Sequence, residues 1–130
     1  MNSNPFGVFL RNKREEKGLS IRELSNKVGL SHTYLSYIEK GKKQPPNNSH
    51  LIMIAKALGF DNETKSLFYD LAAESRLFYN REYSIPADIA KYISETNKAK
   101  DFIREAEQRG YSNDFWNEIL QKLKKENMSQ

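Results

Sequence analysis

Apolar positions in this chain recur every three to four residues, and no stretch alternates in the two-residue rhythm of a strand. Phe6, Phe9 and Leu10 fall at helical spacing. With Lys13 and the polar run behind them, they predict a first amphipathic helix that stops at Gly18. Ser20-Ile21-Arg22-Glu23 has the form of a capping box, in which the serine hydroxyl accepts from the backbone of Glu23 and the glutamate reaches back. It opens a second helix with Leu24 and Val28 inward, ended by Gly29. Ser31 caps a third helix running through Glu39, and Gly41 ends it. Pro45-Pro46 interrupts the chain. Asn47 or Asn48 then opens a fourth helix with Leu51, Ile52, Ile54, Ala55 and Leu58, ending at Gly59.

Asp61 begins a fifth helix with Leu67, Phe68, Leu71 and Ala72 as its stripe. Periodicity weakens over 74–84, so a linker is expected at 75–84, its Phe78, Tyr79 and Tyr83 marking it as packed. Ile85-Pro86 starts a sixth helix with Ile89, Tyr92 and Ile93 inward, proline being favoured in a first turn. Thr96 or Asn97 recaps the chain before Ala99, Phe102, Ile103 and Ala106, and Gly110 closes that helix. Ser112 or Asn113 opens the last. There Phe115, Trp116, Ile119, Leu120 and Leu123 form a seam for a core or a dimer. The expected class is all-α. Residues 1–74 form the first domain, 75–84 the linker, and 85–130 a small helical region for dimerisation or a partner.

The third helix raises the functional question. Leu35 and Ile38 point inward, which leaves His32, Thr33, Ser36, Tyr37 and Lys40 on the opposite face. Two short helices joined by Gly29-Leu30-Ser31 make a helix-turn-helix pattern. A narrow face of donors, acceptors and a threonine methyl matches what base edges in a DNA major groove are read with.

Charge sharpens this. The net charge is only +4, yet residues 1–60 carry 10 Lys/Arg against 4 Asp/Glu, and residues 61–130 carry 11 against 13. A basic first half implies a polyanionic partner, and a balanced second half implies another task.

The stretch SIRELSNKVGLSHTYLSYIEKGKKQPP, followed by LIMIAKALGF, resembles the phage-repressor/Cro-type helix-turn-helix family over residues 6–60. The resemblance rests jointly on Gly18, Leu19-Ser20, Glu23-Leu24, Gly29, Ser31, Ser36, Ile38-Glu39, Gly41 and IAKALG. It implies a five-helix lambda-repressor-like domain followed by a small helical C-terminal region. It places His32, Thr33, Ser36 and Tyr37 at base-reading positions, and Lys40, Lys42 and Lys43 near phosphates; Ser31 is a further phosphate candidate. It also implies a structural ion pair between Arg14 and Glu39, which accounts for an acid beside DNA. The sequence departs from the family at Ile21, where many members carry a phosphate-contacting glutamine; Arg22 is the candidate substitute. Ser25 replaces the family's usual alanine.

The expected function is that of a sequence-specific transcriptional regulator, a homodimeric repressor on a palindromic operator. The alternative is a protein-interaction regulator, antitoxin-like or phage-factor-like, in which residues 85–130 bind a partner protein and DNA binding serves autoregulation. No enzyme, cofactor or metal site is expected: two histidines without cysteine make no metal cluster, and no phosphate loop or catalytic triad is apparent. No apolar run approaches the roughly 18 residues of a membrane span, and the N-terminus has no leader pattern. With no cysteine, the expected location is the reducing cytoplasm.

Overall fold

The computed structural model describes residues 4–80 and 84–128. Among these, the chain forms α1 (Pro5–Glu16), α2 (Ile21–Val28), α3 (His32–Glu39), α4 (Asn48–Ala57), α5 (Asn62–Asn80), α6 (Ala87–Glu95), α7 (Asn97–Arg109) and α8 (Asn113–Met128). The fold is an all-α, multi-helix helix-turn-helix arrangement. It divides into two compact units, Met1–Lys91 and Tyr92–Gln130, with the division inside α6.

The starts of α1–α5 are set by side chains that accept from otherwise orphaned backbone amides. Asn4 accepts from the Gly7 amide at 3.2 Å, with Pro5 in the first turn. The capping box of α2 closes in both directions, Glu23 N to Ser20 Oγ at 3.1 Å and Ser20 N to Glu23 Oε1 at 3.0 Å. Ser31, Asn47 and Asp61 serve α3, α4 and α5 in the same way.

The apolar faces converge on one core. α1 packs against α3 and α5, α2 against α3 and α4, and α4 against α5. Leu10, Leu24, Val28, Leu35, Leu51 and Ile54 are fully buried. Phe68 sits among aromatic rings, its centroid 5.2 Å from those of Phe6 and Phe60 and 6.1 Å from that of Phe9. Such clustered rings bury large areas and add a further stabilisation of about 0.5–1.5 kcal/mol per pair.

Three features differ from the periodicity reading. α5 continues to Asn80, through the first six residues of the stretch expected to link, because tertiary hydrogen bonds hold its last turns. Tyr83 lies outside the described residues. On α5, Leu67 faces outward and Tyr69 is buried beside Phe68. On α6, Ile89 and Tyr92 are exposed, and the small Ala87 enters the first unit's core.

The second unit is smaller. Gly110, at φ 69°, ends α7 and turns the chain toward α8. The Tyr111 and Phe115 rings stack at 4.0 Å, and Phe102 meets Trp116 edge-on at 5.6 Å. Ala106 is buried, Phe115 and Ile119 are half-buried, and Trp116, Leu120 and Leu123 are exposed. As a core seam within the described residues, this set is therefore incomplete. Leu120 and Leu123 remain 49% and 56% exposed.

Candidate nucleic-acid interface

The candidate interface is the outer face of α3 and the turn after it. Two features fix how α3 is presented. Gly29 ends α2 at φ 73°, in the left-handed region that glycine adopts at least cost, and lets the chain reverse within three residues. Leu35 and Ile38 are then locked into the core, which points the remaining side chains out.

Outward from that anchor, His32 and Thr33 are exposed in the first turn, Ser36 is half-buried and Tyr37 is 39% exposed. The Ser31 hydroxyl accepts from the Tyr34 amide at 3.1 Å, and this capping role leaves its own proton to donate outward. Arg22 is exposed in the first turn of α2. These side chains present donors and acceptors without a carboxylate among them.

The far end of α3 closes in a Schellman motif. Gly41 N donates to Ile38 O at 3.1 Å and Lys42 N to Tyr37 O at 2.8 Å, with Gly41 at φ 76°. The motif throws Lys40, Lys42 and Lys43 onto the surface beside the outer face of α3, all of them exposed. Lys42 Nζ lies 5.8 Å from the centroid of the Tyr37 ring, so a cation–π contact joins the basic turn to the outer face of α3.

Glu39 is the acid at that end, and it is neutralised. Arg14 Nε meets Glu39 Oε2 at 2.7 Å and Nη2 meets Oε1 at 3.0 Å, a bidentate pair spanning α1 and α3. Arg14 Nη1 also donates to the carbonyl of Leu19 at 2.8 Å. The hydrogen bond to Glu39 raises the Arg14 pKa above its ordinary value, against the opposing effect of burial. The carboxylate is thus spent inside the fold rather than projected at a polyanion.

Sequence reasoning missed part of this support. Asn4, besides capping α1, donates through Nδ2 to the Glu39 carbonyl at 2.9 Å. α1 can come that close because residue 7 is glycine: a Cβ there would stand 2.6 Å from the carbonyl oxygens of both Ile38 and Glu39. Arg76 and Tyr79 of α5 bond the segment after α3. No local pattern announces these contacts, since each joins residues about thirty or more apart.

A family model described as helix-turn-helix matches residues 10–61, a span that contains α2, α3 and α4. Two uncharacterized HTH-type transcriptional regulators of Mycobacterium tuberculosis, from strains CDC 1551 / Oshkosh and ATCC 25618 / H37Rv, are each 42% identical over 52 residues. That match takes in 40% of this chain and 36% of theirs, so the chain spans about a third of the length of these relatives. The ImmF control region 10 kDa protein of Bacillus phage phi105 is 34% identical over 61 residues, 47% of this chain and 67% of that protein. A solved structure of the SinR protein/SinI protein complex aligns over 96% of this chain and 99% of that one, with 24% identity and a TM-score of 0.45, a likeness too loose to bear on function. With the capped helices, the glycine turn and the matched relatives together, the chain belongs to the Cro/XRE-type helix-turn-helix family of transcriptional regulators.

Proposed function

We propose that this chain is a sequence-specific DNA-binding regulator that lays α3 in the major groove. The observation that carries the reading is the division of α3: one face fully buried, its acid paired internally, and the other face polar, exposed and flanked by lysines. In this reading α1–α5 act as a five-helix domain of the lambda-repressor type, and residues 85–130 as a separate C-terminal region. His32, Thr33, Ser36 and Tyr37 read bases. Arg22, Ser31, Lys40, Lys42 and Lys43 hold phosphates, which sets position and affinity while the base contacts set sequence choice. The activity is repression by promoter occupancy, exercised in the cytoplasm.

The second unit carries a second element of the function. Phe102, Ile103, Trp116, Leu120 and Leu123 are exposed on α7 and α8, an apolar surface that favours engagement of another protein chain. A second copy would give a homodimer on half-sites about 34–36 Å apart. A different protein would make the chain a partner-controlled regulator whose DNA binding is autoregulatory.

Selection of random duplexes by the purified chain tests the first element. A palindromic consensus is expected, and the absence of any enrichment would overturn the DNA reading. Lys42→Ala should weaken binding to all duplexes alike and reduce the salt slope by about 1. Trp116 is the chain's single tryptophan, so its fluorescence tests the second element. Emission that shifts on dilution, with a dimeric mass at high concentration, supports a second copy. A concentration-independent monomer supports a different partner.

A further inference from the structure

The segment between α3 and α4 carries two of the proposed phosphate contacts, and its ordering is imposed from a distant part of the chain. Pro45 and Pro46 are buried there, while Lys42, Lys43 and Gln44 are exposed. Two side chains from the last turns of α5 reach this segment. Arg76 donates through Nη1 to Asn48 Oδ1 at 2.7 Å and through Nη2 to the carbonyl of Pro46. The Tyr79 hydroxyl donates to the carbonyl of Gly41 at 2.8 Å. One bond therefore holds the segment where it leaves α3, and two hold it where it enters α4.

The chemistry of this clamp is specific. Arg76 is half-buried, and burial lowers its pKa from the ordinary value; both oxygens it is bonded to are uncharged. A planar guanidinium serves two acceptors at fixed angles, which an ammonium cannot do. Gly41, which accepts from Tyr79, is also the left-handed residue on which the direction of Lys42 and Lys43 depends. Arg76 and Tyr79 both lie beyond residues 10–61, so the clamp is not part of the segment that matches the helix-turn-helix model.

We infer that Arg76 and Tyr79 are positioning residues for DNA affinity: they hold the segment 41–48 so that Lys42 and Lys43 meet phosphates already ordered. The inference rests on the DNA-binding reading above. Ordering a loop during association subtracts from affinity, and a loop ordered beforehand avoids that loss. Because the clamp acts through phosphate contacts, it governs affinity and leaves base preference alone.

The test uses the full chain with Arg76→Met, Arg76→Lys and Tyr79→Phe, and Phe60→Leu as a core variant remote from the segment. Binding is followed by fluorescence anisotropy at several salt concentrations. The probes are the duplex selected by the wild-type protein and a scrambled duplex. Arg76→Met should weaken binding to both about tenfold, and Tyr79→Phe about threefold to fivefold, with the ratio between the two duplexes unchanged. The salt slope should fall by about 1 in Arg76→Met and stay at the wild-type value in Phe60→Leu. Arg76→Lys should restore only part of the loss. Wild-type affinity and slope in folded Arg76→Met and Tyr79→Phe would overturn the inference. So would losses that track melting temperature as they do in Phe60→Leu. If Arg76→Met does not fold, Tyr79→Phe decides, since it removes one hydroxyl from an exposed ring. If the wild-type protein selects no duplex, the DNA-binding reading fails and the inference fails with it; if it selects one and the variants match it, the inference alone fails.

Discussion

Replacing Arg14 with alanine should bring the first unit close to unfolding, and the size of the effect follows from the Glu39 environment. The two side chains are 10% and 4% exposed, and both carboxylate oxygens of Glu39 are bonded to the guanidinium, at 2.7 and 3.0 Å. The variant leaves a buried carboxylate without those donors and takes a third donor from the Leu19 carbonyl. Removing one partner of a buried pair costs about 3–5 kcal/mol, because the desolvated charge that remains has lost its compensation. For a unit of this size each kcal/mol shifts the melting temperature by about 4–8 °C, so the expected drop is roughly 12–40 °C. Total stability of such a domain is about 5–15 kcal/mol, so the loss is a large part of it. The measurement is thermal unfolding by circular dichroism at neutral pH. Arg14→Met combined with Glu39→Leu should recover most of the loss, since an apolar pair removes both charges together. The resulting double-mutant cycle should give a coupling on the order of 3 kcal/mol. A drop of less than about 3 °C for Arg14→Ala would refute the reasoning, because a carboxylate that tolerates losing its partner is already solvated.

Four further outcomes are expected. Gly7→Ala places a Cβ 2.6 Å from two backbone carbonyl oxygens of α3, so it should lower the urea midpoint by the equivalent of about 1–3 kcal/mol; an unchanged midpoint would rule out that close helix crossing. Ser20→Ala should cost about 1 kcal/mol by opening the α2 cap. The Ser20 backbone amide holds the Glu23 carboxyl below its usual pKa, and the Thr64 hydroxyl does the same for Asp61. Groups depressed in the folded state stabilise it above their unfolded pKa and lose that contribution as pH falls through the folded value. The urea midpoint should therefore hold at neutral pH and fall below about pH 4, less steeply in Glu23→Gln, which has no carboxyl to protonate there; a midpoint that rises on acidification contradicts this. Tyr37→Ala should relax base preference at a cost of about 1–3 kcal/mol on the selected duplex, and an unaltered consensus in a repeated selection would remove Tyr37 from the reading face.

What the sequence determined by itself was local. The capping box at Ser20 and Glu23, the caps at Ser31, Asn47 and Asp61, and the stops at Gly29, Gly41 and Gly110 all act within a few residues of one another. For that reason they can be read along the chain. The inward Leu35 and Ile38 and the outward polar face of α3 follow from the same short-range periodicity. Only the tertiary structure decided how those helices meet. A glycine at position 7 lets α1 touch the end of α3, and the Arg14–Glu39 pair closes across that crossing. The family resemblance implied this pair, but the periodicity of either helix alone does not contain it. The last turns of α5 read as a linker because their apolar spacing is weak, yet Arg76 and Tyr79 hold them as helix through oxygens 28 to 38 residues away. Periodicity reports which face of one helix avoids water. It carries no record of the partner across the gap, because that partner is fixed by the angle and distance at which two helices cross.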